Sequence, residues 1–242
     1  MIEIEDYYWD YCNATTAGQY LDSQERSIIY EFLDNCTPRL CLDIACGSGR
    51  FSLSLAKRGI CVVAGERYMV PIKKLQCSLL GCEIWKKNTH ILQIDAEHLP
   101  FHDKTYDCVL SIQTLSYTNA QQFISECNRI LQCDGWLLFN DANRHSYKAP
   151  IHRKISSSTR FYHHSYSEIC SMLNDSGFRI QKAVGMNWLP IKRDSDNKWI
   201  AFASKIEDWL KLSDLPSISP WVFYVAQKTR ESTPNTGGKG QW

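Results

Sequence analysis

Residues 40–50 read Leu-Cys-Leu-Asp-Ile-Ala-Cys-Gly-Ser-Gly-Arg and combine an apolar strand, one acid and a turn of small residues. Gly47 and Gly49 can adopt positive φ, and neither places a side chain between the backbone and a ligand. The segment that follows, residues 51–57, is predicted to be a helix, whose N-terminus offers unpaired N–H groups and a positive dipole end. The sequence therefore predicts a loop that cradles a nucleotide-type ligand, with Asp43 at the end of the strand.

The acid before the glycines separates this loop from the NAD-binding turn, which begins Gly-x-Gly-x-x-Gly without it. Residues 43–49, Asp-Ile-Ala-Cys-Gly-Ser-Gly, resemble the acid-x-Gly-x-Gly-x-Gly motif of class I S-adenosylmethionine (SAM)-dependent methyltransferases. Ala45 stands in place of the first glycine, a mild departure unless that position requires positive φ. The resemblance covers residues 38–185 and is closest to the type 11 group, which includes ubiquinone- and menaquinone-biosynthesis methyltransferases.

Three predicted strand ends carry further matches to this group. Glu66 closes the second strand, and the resemblance implies that it accepts the ribose hydroxyls; a solvated surface glutamate is the alternative. Residues 95–101 resemble the segment whose aspartate meets the adenine amino group, although a polar turn capped by Asp95 is an alternative. Gln113 follows the fourth strand, where the family places the methionine end of the cofactor. The implied SAM-binding residues are Asp43, Ala45, Cys46, Gly47, Gly49, Glu66, Arg67, Asp95, Ala96 and Gln113.

Methyl transfer from a sulfonium is an in-line displacement that depends on positioning, which can be worth up to roughly 7–11 kcal/mol. An acceptor that must lose a proton would also need a base. The candidates, chosen by location alone, are Tyr117, Asp141, His145, His163 and His164. The spacing of the histidines and of the 11 cysteines matches no metal site, so we expect no metal and reduced thiols.

Residues 144–167 contain five Arg or Lys residues, four histidines and no acid. Positive potential there would attract an anionic acceptor, although a solvated surface loop is an equal alternative. We therefore expect methyl transfer to a small or medium-sized, anionic acceptor. The alternatives are a non-catalytic SAM-binding subunit or regulatory module and an RNA methyltransferase, which the net charge of +1 does not favour. An NAD-dependent oxidoreductase is disfavoured by Asp43 and by residues 95–96.

Hydrophobic periodicity predicts strands that alternate with helices, and hence a parallel sheet covered on both faces. The predicted strands are residues 39–44, 60–64, 89–94, 106–112, 136–140, 178–184 and 221–226. The predicted helices are residues 23–33, 51–58, 70–80, 120–131, 166–173 and 199–212. The resemblance implies a doubly wound, Rossmann-like α/β fold in which the last of seven strands is antiparallel.

The chain of 242 residues has 44% hydrophobic and 22% charged residues, as in ordinary globular proteins. We predict one domain over residues 1–228, with a helical lid segment over residues 1–37 and insertions over residues 143–165 and 186–215 near the substrate side. Residues 229–242 are predicted to be a disordered tail. No apolar run has membrane-spanning length and the N-terminus lacks a signal pattern, so a cytoplasmic location is expected.

Overall fold

The computed structural model describes residues 8–150, 163–191, 194–197 and 199–229. These residues contain a seven-stranded sheet with the order β3-β2-β1-β4-β5-β7-β6. Neighbouring strands are parallel except at β7, which is antiparallel to both β5 and β6. The strands are β1 (Leu40–Ile44), β2 (Cys61–Glu66), β3 (Thr89–Gln93), β4 (Tyr106–Ser111), β5 (Leu131–Ala142), β6 (Phe178–Met186) and β7 (Trp221–Lys228). The predicted fold class is confirmed.

The helices cover both faces of this sheet. They are α1 (Tyr8–Ala14), α2 (Thr16–Asn35), α3 (Ser52–Lys57), α4 (Met69–Leu79), α5 (Glu83–Asn88), α6 (Ala120–Ile130), α7 (Tyr166–Asp175) and α8 (Ile200–Trp209), with short 3-10 turns at Leu115–Tyr117 and Leu212–Asp214. Sequence periodicity gave no separate bounds for α1, which lies within the predicted helical lid segment, and did not predict the short α5. It predicted α2 only from residue 23, although Thr15 caps that helix by accepting a hydrogen bond from Gly18 N–H at 3.0 Å.

Two apolar cores lie on opposite faces of the sheet. On one face α6 buries Phe123 and Ile124, and α7 buries Leu173. On the other face α2 buries Ile29 and α3 buries Leu55. Because strands covered on both faces must be apolar throughout, β1 and β4 read as nearly continuous hydrophobic runs. Asp43 is the exception in β1, and its side chain is buried.

No turn separates α6 from β5, although the predicted helix 120–131 and the predicted strand 136–140 leave four residues between them. The strand begins at Leu131, and Asp134 takes a φ of +64° within it. The pairing with β4 shifts register between Tyr106 and Cys108, and regular pairing resumes at Trp136. The predicted strand start at residue 136 is therefore five residues too late, and residues 131–135 form the irregular first part of β5.

The sheet ends at β3 on one side and at β6 on the other. Gly177, with a φ of +80°, follows α7 and leads into β6, as expected for a helix stop. The pairing of β6 with β7 shifts register between Ile180 and Lys182. None of the helices in the described ranges has the length and apolar character required to cross a lipid bilayer. The predicted tail lies outside the described residues except for Thr229, and the domain limits stay a prediction.

Candidate functional site

The loop between β1 and α3 has an unusual backbone. Ala45, Gly47 and Gly49 have φ angles of +56°, +58° and +90°. A Cβ at Gly49 would lie 2.3 Å from Leu75 Cδ1, so the loop packs tightly against α4. Ala45 thus occupies a position that does require positive φ, where an L-residue is strained. The replacement of glycine by Ala45 is therefore not the mild departure that the motif alone indicates.

Asp43 lies beneath this loop and is buried. Ser52 Oγ donates a hydrogen bond to its Oδ2 at 2.5 Å. Burial raises the pKa of Asp43 to about 7, although Ser52 and the Arg50 guanidinium favour the ionised form. The carboxyl group consequently ties the end of β1 to the first turn of α3 and titrates near neutral pH.

Glu66 ends β2 with its carboxylate held by backbone N–H groups. Its Oε1 accepts from Arg67 N at 2.8 Å and from Tyr68 N at 3.0 Å. Its Oε2 accepts from Gly47 N at 3.0 Å, which joins β2 to the glycine loop. Glu66 is only 4% exposed, so it is not the solvated surface residue that was the alternative.

Asp95 follows β3 and faces the same cleft. Its Oδ1 accepts from Glu97 N at 3.0 Å, which is the capped polar turn that was the alternative interpretation. The Arg67 guanidinium lies 4.0 Å from its other oxygen. The turn and a ligand-binding role are compatible, because a carboxylate offers about four acceptor sites.

Gln113 follows β4 and takes a φ of +62°. Its backbone N–H donates to Asn140 Oδ1 at 2.7 Å, and its side-chain amide donates to Glu25 Oε1 at 3.0 Å. Glu25, from α2, also accepts from Asn140 Nδ2 at 3.0 Å and from Arg50 Nη2 at 2.7 Å. This buried network joins α2 to the loops after β1 and β4. Glu25 was not predicted as a site residue. The sequence feature that could have identified it is an acid within the apolar stripe of α2 that also contains Leu21 and Ile28.

A cleft of about 650 Å³ opens at the carboxyl ends of β1, β2 and β4. Nine of the ten predicted cofactor residues line it, and Gly49 does not. Helix α1, which lies within the predicted lid segment, contributes a wall that includes Trp9, Asp10 and Asn13, none of which was predicted as a cofactor residue. Asp10 accepts from Ser48 Oγ at 2.5 Å and from Lys74 Nζ at 3.1 Å, so α1 is fastened to the glycine loop.

The predicted catalytic candidates differ in whether they line the cleft, are buried behind it or are exposed elsewhere. Tyr117 lines the cleft. Asp141 is buried at the end of β5, and its Oδ2 lies 2.9 Å from His164 Nδ1. His145 and His163 are exposed and are not among the residues that line the described cleft.

In the described part of the basic segment, residues 144–167, Arg144 and Lys148 both have partners within the protein. Arg144 pairs with Glu168 at 2.7 Å. Lys148 Nζ donates to Asn187 Oδ1 at 2.7 Å, and burial lowers its pKa to about 7. The other basic residues of the segment, His152, Arg153, Lys154 and Arg160, lie outside the described residues. Among residues 8–150 and the later described ranges, no cluster of His, Cys, Asp or Glu is suited to hold a metal ion.

Part of the chain matches a family model, and curated proteins resemble it in sequence. Residues 42–139 match the family described as methyltransferase domain. The chain is 30% identical over 129 residues to the ubiquinone/menaquinone biosynthesis C-methyltransferase UbiE of Haemophilus ducreyi, a match that covers 50% of this chain and 46% of that protein. It is 22% identical over 204 residues to the ubiquinone biosynthesis O-methyltransferase of Nitrosomonas europaea, covering 79% of this chain and 85% of that protein.

A solved structure shares the fold. The magnesium protoporphyrin IX methyltransferase of Synechocystis, with bound SAH, matches with a TM-score of 0.66 and 17% identity. The match covers 91% of this chain and 93% of that chain.

Proposed function

We propose that this chain is a SAM-dependent methyltransferase, that the cleft beside the glycine loop holds SAM, and that a small or medium-sized acceptor enters next to it. The observation that supports this proposal most strongly is that polar groups from three strand ends and from the glycine loop line one cleft. Ligands of doubly wound sheets bind at this edge. A cleft of about 650 Å³ is within the range of about 300–1,000 Å³ typical of small-molecule sites.

The chemistry of the cleft fits the parts of SAM. Glu66 would receive ribose hydroxyls, since its three backbone hydrogen bonds fix its orientation and leave acceptor capacity. Asp95 and Ala96 would meet the adenine. The glycine loop, with Asp43 beneath it, and Gln113 would surround the methionine end. Arg67, which lines the cleft next to Asp95, would complete the adenosine side.

SAM supplies an activated methyl group on a positively charged sulfur. The protein's own contribution would be orientation and exclusion of water. The Glu25 network fixes the loops after β1 and β4 relative to each other, and α1 closes one wall of the cleft through Asp10. Fixed relative positions of acceptor and methyl group are the main source of acceleration in such a displacement.

The proposal also includes an anionic acceptor, attracted by the basic residues of the segment 144–167. Arg144 and Lys148 have partners in the structure, so the attraction would have to come from Arg153, Lys154 and Arg160. We expect that neutralising these three residues together weakens binding of a carboxylate-bearing acceptor and leaves SAM affinity unchanged. Equal acceptor affinity before and after the change would remove the anionic preference.

The cofactor site is tested by calorimetric titration of the purified protein with SAM and, separately, with NAD. We expect SAM to bind, NAD not to bind, and Glu66→Ala to weaken SAM binding at least tenfold, or about 1.4 kcal/mol. Glu83→Ala, at an exposed acid in α5, is the matched control and should bind SAM normally. Undiminished affinity in Glu66→Ala would reject the assignment of Glu66, and no binding of SAM to the wild-type protein would reject the cofactor site.

A further inference from the structure

Positive charge is concentrated in one part of this chain. Residues 57–90, which include β2, α4 and α5, contain seven Lys or Arg residues and two acids, whereas the whole chain has a net charge of +1. One of the two acids, Glu66, is buried and accepts hydrogen bonds from backbone N–H groups, so Glu83 is the exposed acid that remains. The small net charge of the chain therefore hides a strongly positive region.

Four lysines of this region are exposed and make no ion pair with any of the described residues. We call them the lysine surface; they are Lys57, Lys73, Lys86 and Lys87. Two neighbouring cations are paired instead, Arg58 with Asp34 at 3.1 Å and Lys74 with Asp10 at 3.1 Å. Positive charge without a counter-charge attracts anions from solution.

The fold places three of these lysines side by side. Lys57 is the last residue of α3, and Lys86 and Lys87 lie in the last turn of α5. Asn88 Nδ2 donates a hydrogen bond to Ala56 O at 3.1 Å, which joins the ends of the two helices. Both helices end where a strand begins, β2 after α3 and β3 after α5, so these lysines lie at the edge of the sheet opposite the cleft.

Helix α4 connects these lysines with the rim of the cleft. It follows the carboxyl end of β2, spans about 16 Å with its 11 residues, and carries the exposed Lys73. Arg67 and Tyr68, which precede α4, line the cleft; the Arg67 side chain is 66% exposed and Tyr68 is 65% exposed. The positive charge thus extends from the cleft along α4 to the opposite edge of the sheet.

The chemistry of this surface favours one class of partner. Lysine ammonium groups bind phosphates as point charges, and a row of them suits a polyanion. Tyr68 adds an exposed aromatic face at the end of the row, on which a nucleic-acid base can stack. Single strands present unstacked bases to aromatic side chains, whereas the bases of a duplex are stacked on one another.

An anionic membrane is the competing partner, because the same region exposes Leu80 and Ile84. The cations, however, follow a line from the cleft to the opposite edge of the sheet. Such a line suits a flexible strand better than a flat membrane.

We propose that the lysine surface, together with Arg67 and Tyr68, binds a single-stranded nucleic acid. Phosphates of the strand contact the lysines in turn, and a base stacks on Tyr68 where the row reaches the cleft. This inference goes beyond the proposed function and depends neither on SAM nor on methyl transfer. The four lysines lie outside the proposed SAM site.

The test is fluorescence anisotropy with a labelled oligouridylate and a labelled oligothymidylate of about 12 nucleotides, within the range of site sizes of single-strand binders. Four phosphate contacts predict a slope of log K against log salt of about −2.8, so the affinity should fall about 50-fold between about 50 and 200 mM salt. A duplex of the same length should bind more weakly than either strand. The two probes distinguish RNA from DNA, because only RNA offers 2′-hydroxyl groups.

Variants then locate the contacts. Replacing the four lysines of the lysine surface together by glutamine should lower the affinity at least tenfold at about 50 mM salt and make the slope less steep by about 2.8. Tyr68→Ala should lower the affinity at least fivefold with little change in the slope, because stacking does not release counterions. The matched control makes the same change of charge on β6 and around α8, at the exposed residues Arg179, Lys182, Lys205 and Lys211. The control should keep the wild-type slope.

Thermal unfolding and SAM titration check that each variant is folded, since a cation in the last turn of a helix also stabilises that helix. The fourfold variant should bind SAM as the wild-type protein does. If that variant unfolds, Lys73→Gln alone, within α4 and away from a helix end, should still make the slope less steep by about 0.7.

A wild-type protein that binds neither strand would overturn the proposal. So would an equal loss in the control variant, equal affinity for the duplex, or binding to phosphatidylserine vesicles without binding to either strand. SAM titration separates the two levels of inference. SAM binding without strand binding leaves the proposed function standing, and strand binding without SAM binding supports the lysine surface while rejecting the cofactor site.

Discussion

Replacing Ala45 by glycine should stabilise the protein. Ala45 has a φ of +56° and is exposed in the cleft, so its methyl group contributes little packing. An L-residue in the left-handed region costs about 1–2 kcal/mol. Glycine loses more backbone freedom on folding, which offsets about 0.4–1 kcal/mol of that gain. We therefore expect Ala45→Gly to raise the free energy of unfolding by about 0.5–1 kcal/mol, or to raise Tm by about 1–4 °C for a chain of this size.

The assay is denaturant unfolding followed by tryptophan fluorescence, with and without SAM. Gly59→Ala provides a matched reciprocal control, because Gly59 has a φ of +84° and a Cβ there would meet no atom within 4 Å. That substitution should lower stability by about 1 kcal/mol through backbone strain alone. If Ala45→Gly lowers stability while Gly59→Ala behaves as expected, then backbone strain at Ala45 does not reduce the free energy of unfolding, and the prediction is refuted.

Three further predictions concern charged groups. The pKa of Asp43 is raised to about 7 in the folded protein, so the folded state binds this proton more tightly than the unfolded chain does. The resulting stabilisation is full below pH 4 and is lost as the pH rises through 7; it amounts to about 4 kcal/mol at most. Asp43→Asn should remove that decline in urea titrations between pH 4 and 8, and an unchanged difference from wild type across this range would contradict it. The pKa of Lys148 is lowered to about 7, so the unfolded chain binds more protons between pH 7 and 10; wild-type stability should rise with pH there, whereas Lys148→Met should show a smaller rise. Glu25→Ala should cost about 3 kcal/mol, since it leaves Arg50 without its buried partner. The more exposed Asp22→Ala should cost under about 1 kcal/mol, and equal losses would argue against the buried network.

The strand-end acids could be predicted because sheet geometry and sequence order agree. In a parallel sheet the carboxyl ends of the strands share one edge, so Asp43, Glu66 and Asp95 had to meet there once the strands were assigned. The alternation of strands and helices likewise predicted the fold class, and the resemblance supplied the antiparallel β7.

The remaining parts of the cleft depend on contacts between residues far apart in sequence. Asp10 reaches Ser48 and Lys74 only because α1 folds back over the glycine loop. The hydrogen bond between Ser116 and Asp141 spans 25 positions and depends on the 3-10 turn after β4 lying beside the end of β5. Local periodicity carries no information about such pairings, so Ser116 could not be selected from the sequence.

The outer edge of β6 is one of the two sheet edges at which a strand of another molecule can pair. An edge strand offers unpaired backbone groups that can recruit a strand from another molecule, which is a common route to aggregation. Here Arg179 and Lys182 are exposed along that edge, and Lys182 pairs with Glu31 at 2.6 Å. The register shift between Ile180 and Lys182 also interrupts the regular spacing that an incoming strand would need. Charge and irregularity together protect the edge, and we expect concentrated solutions to resist strand-to-strand association there.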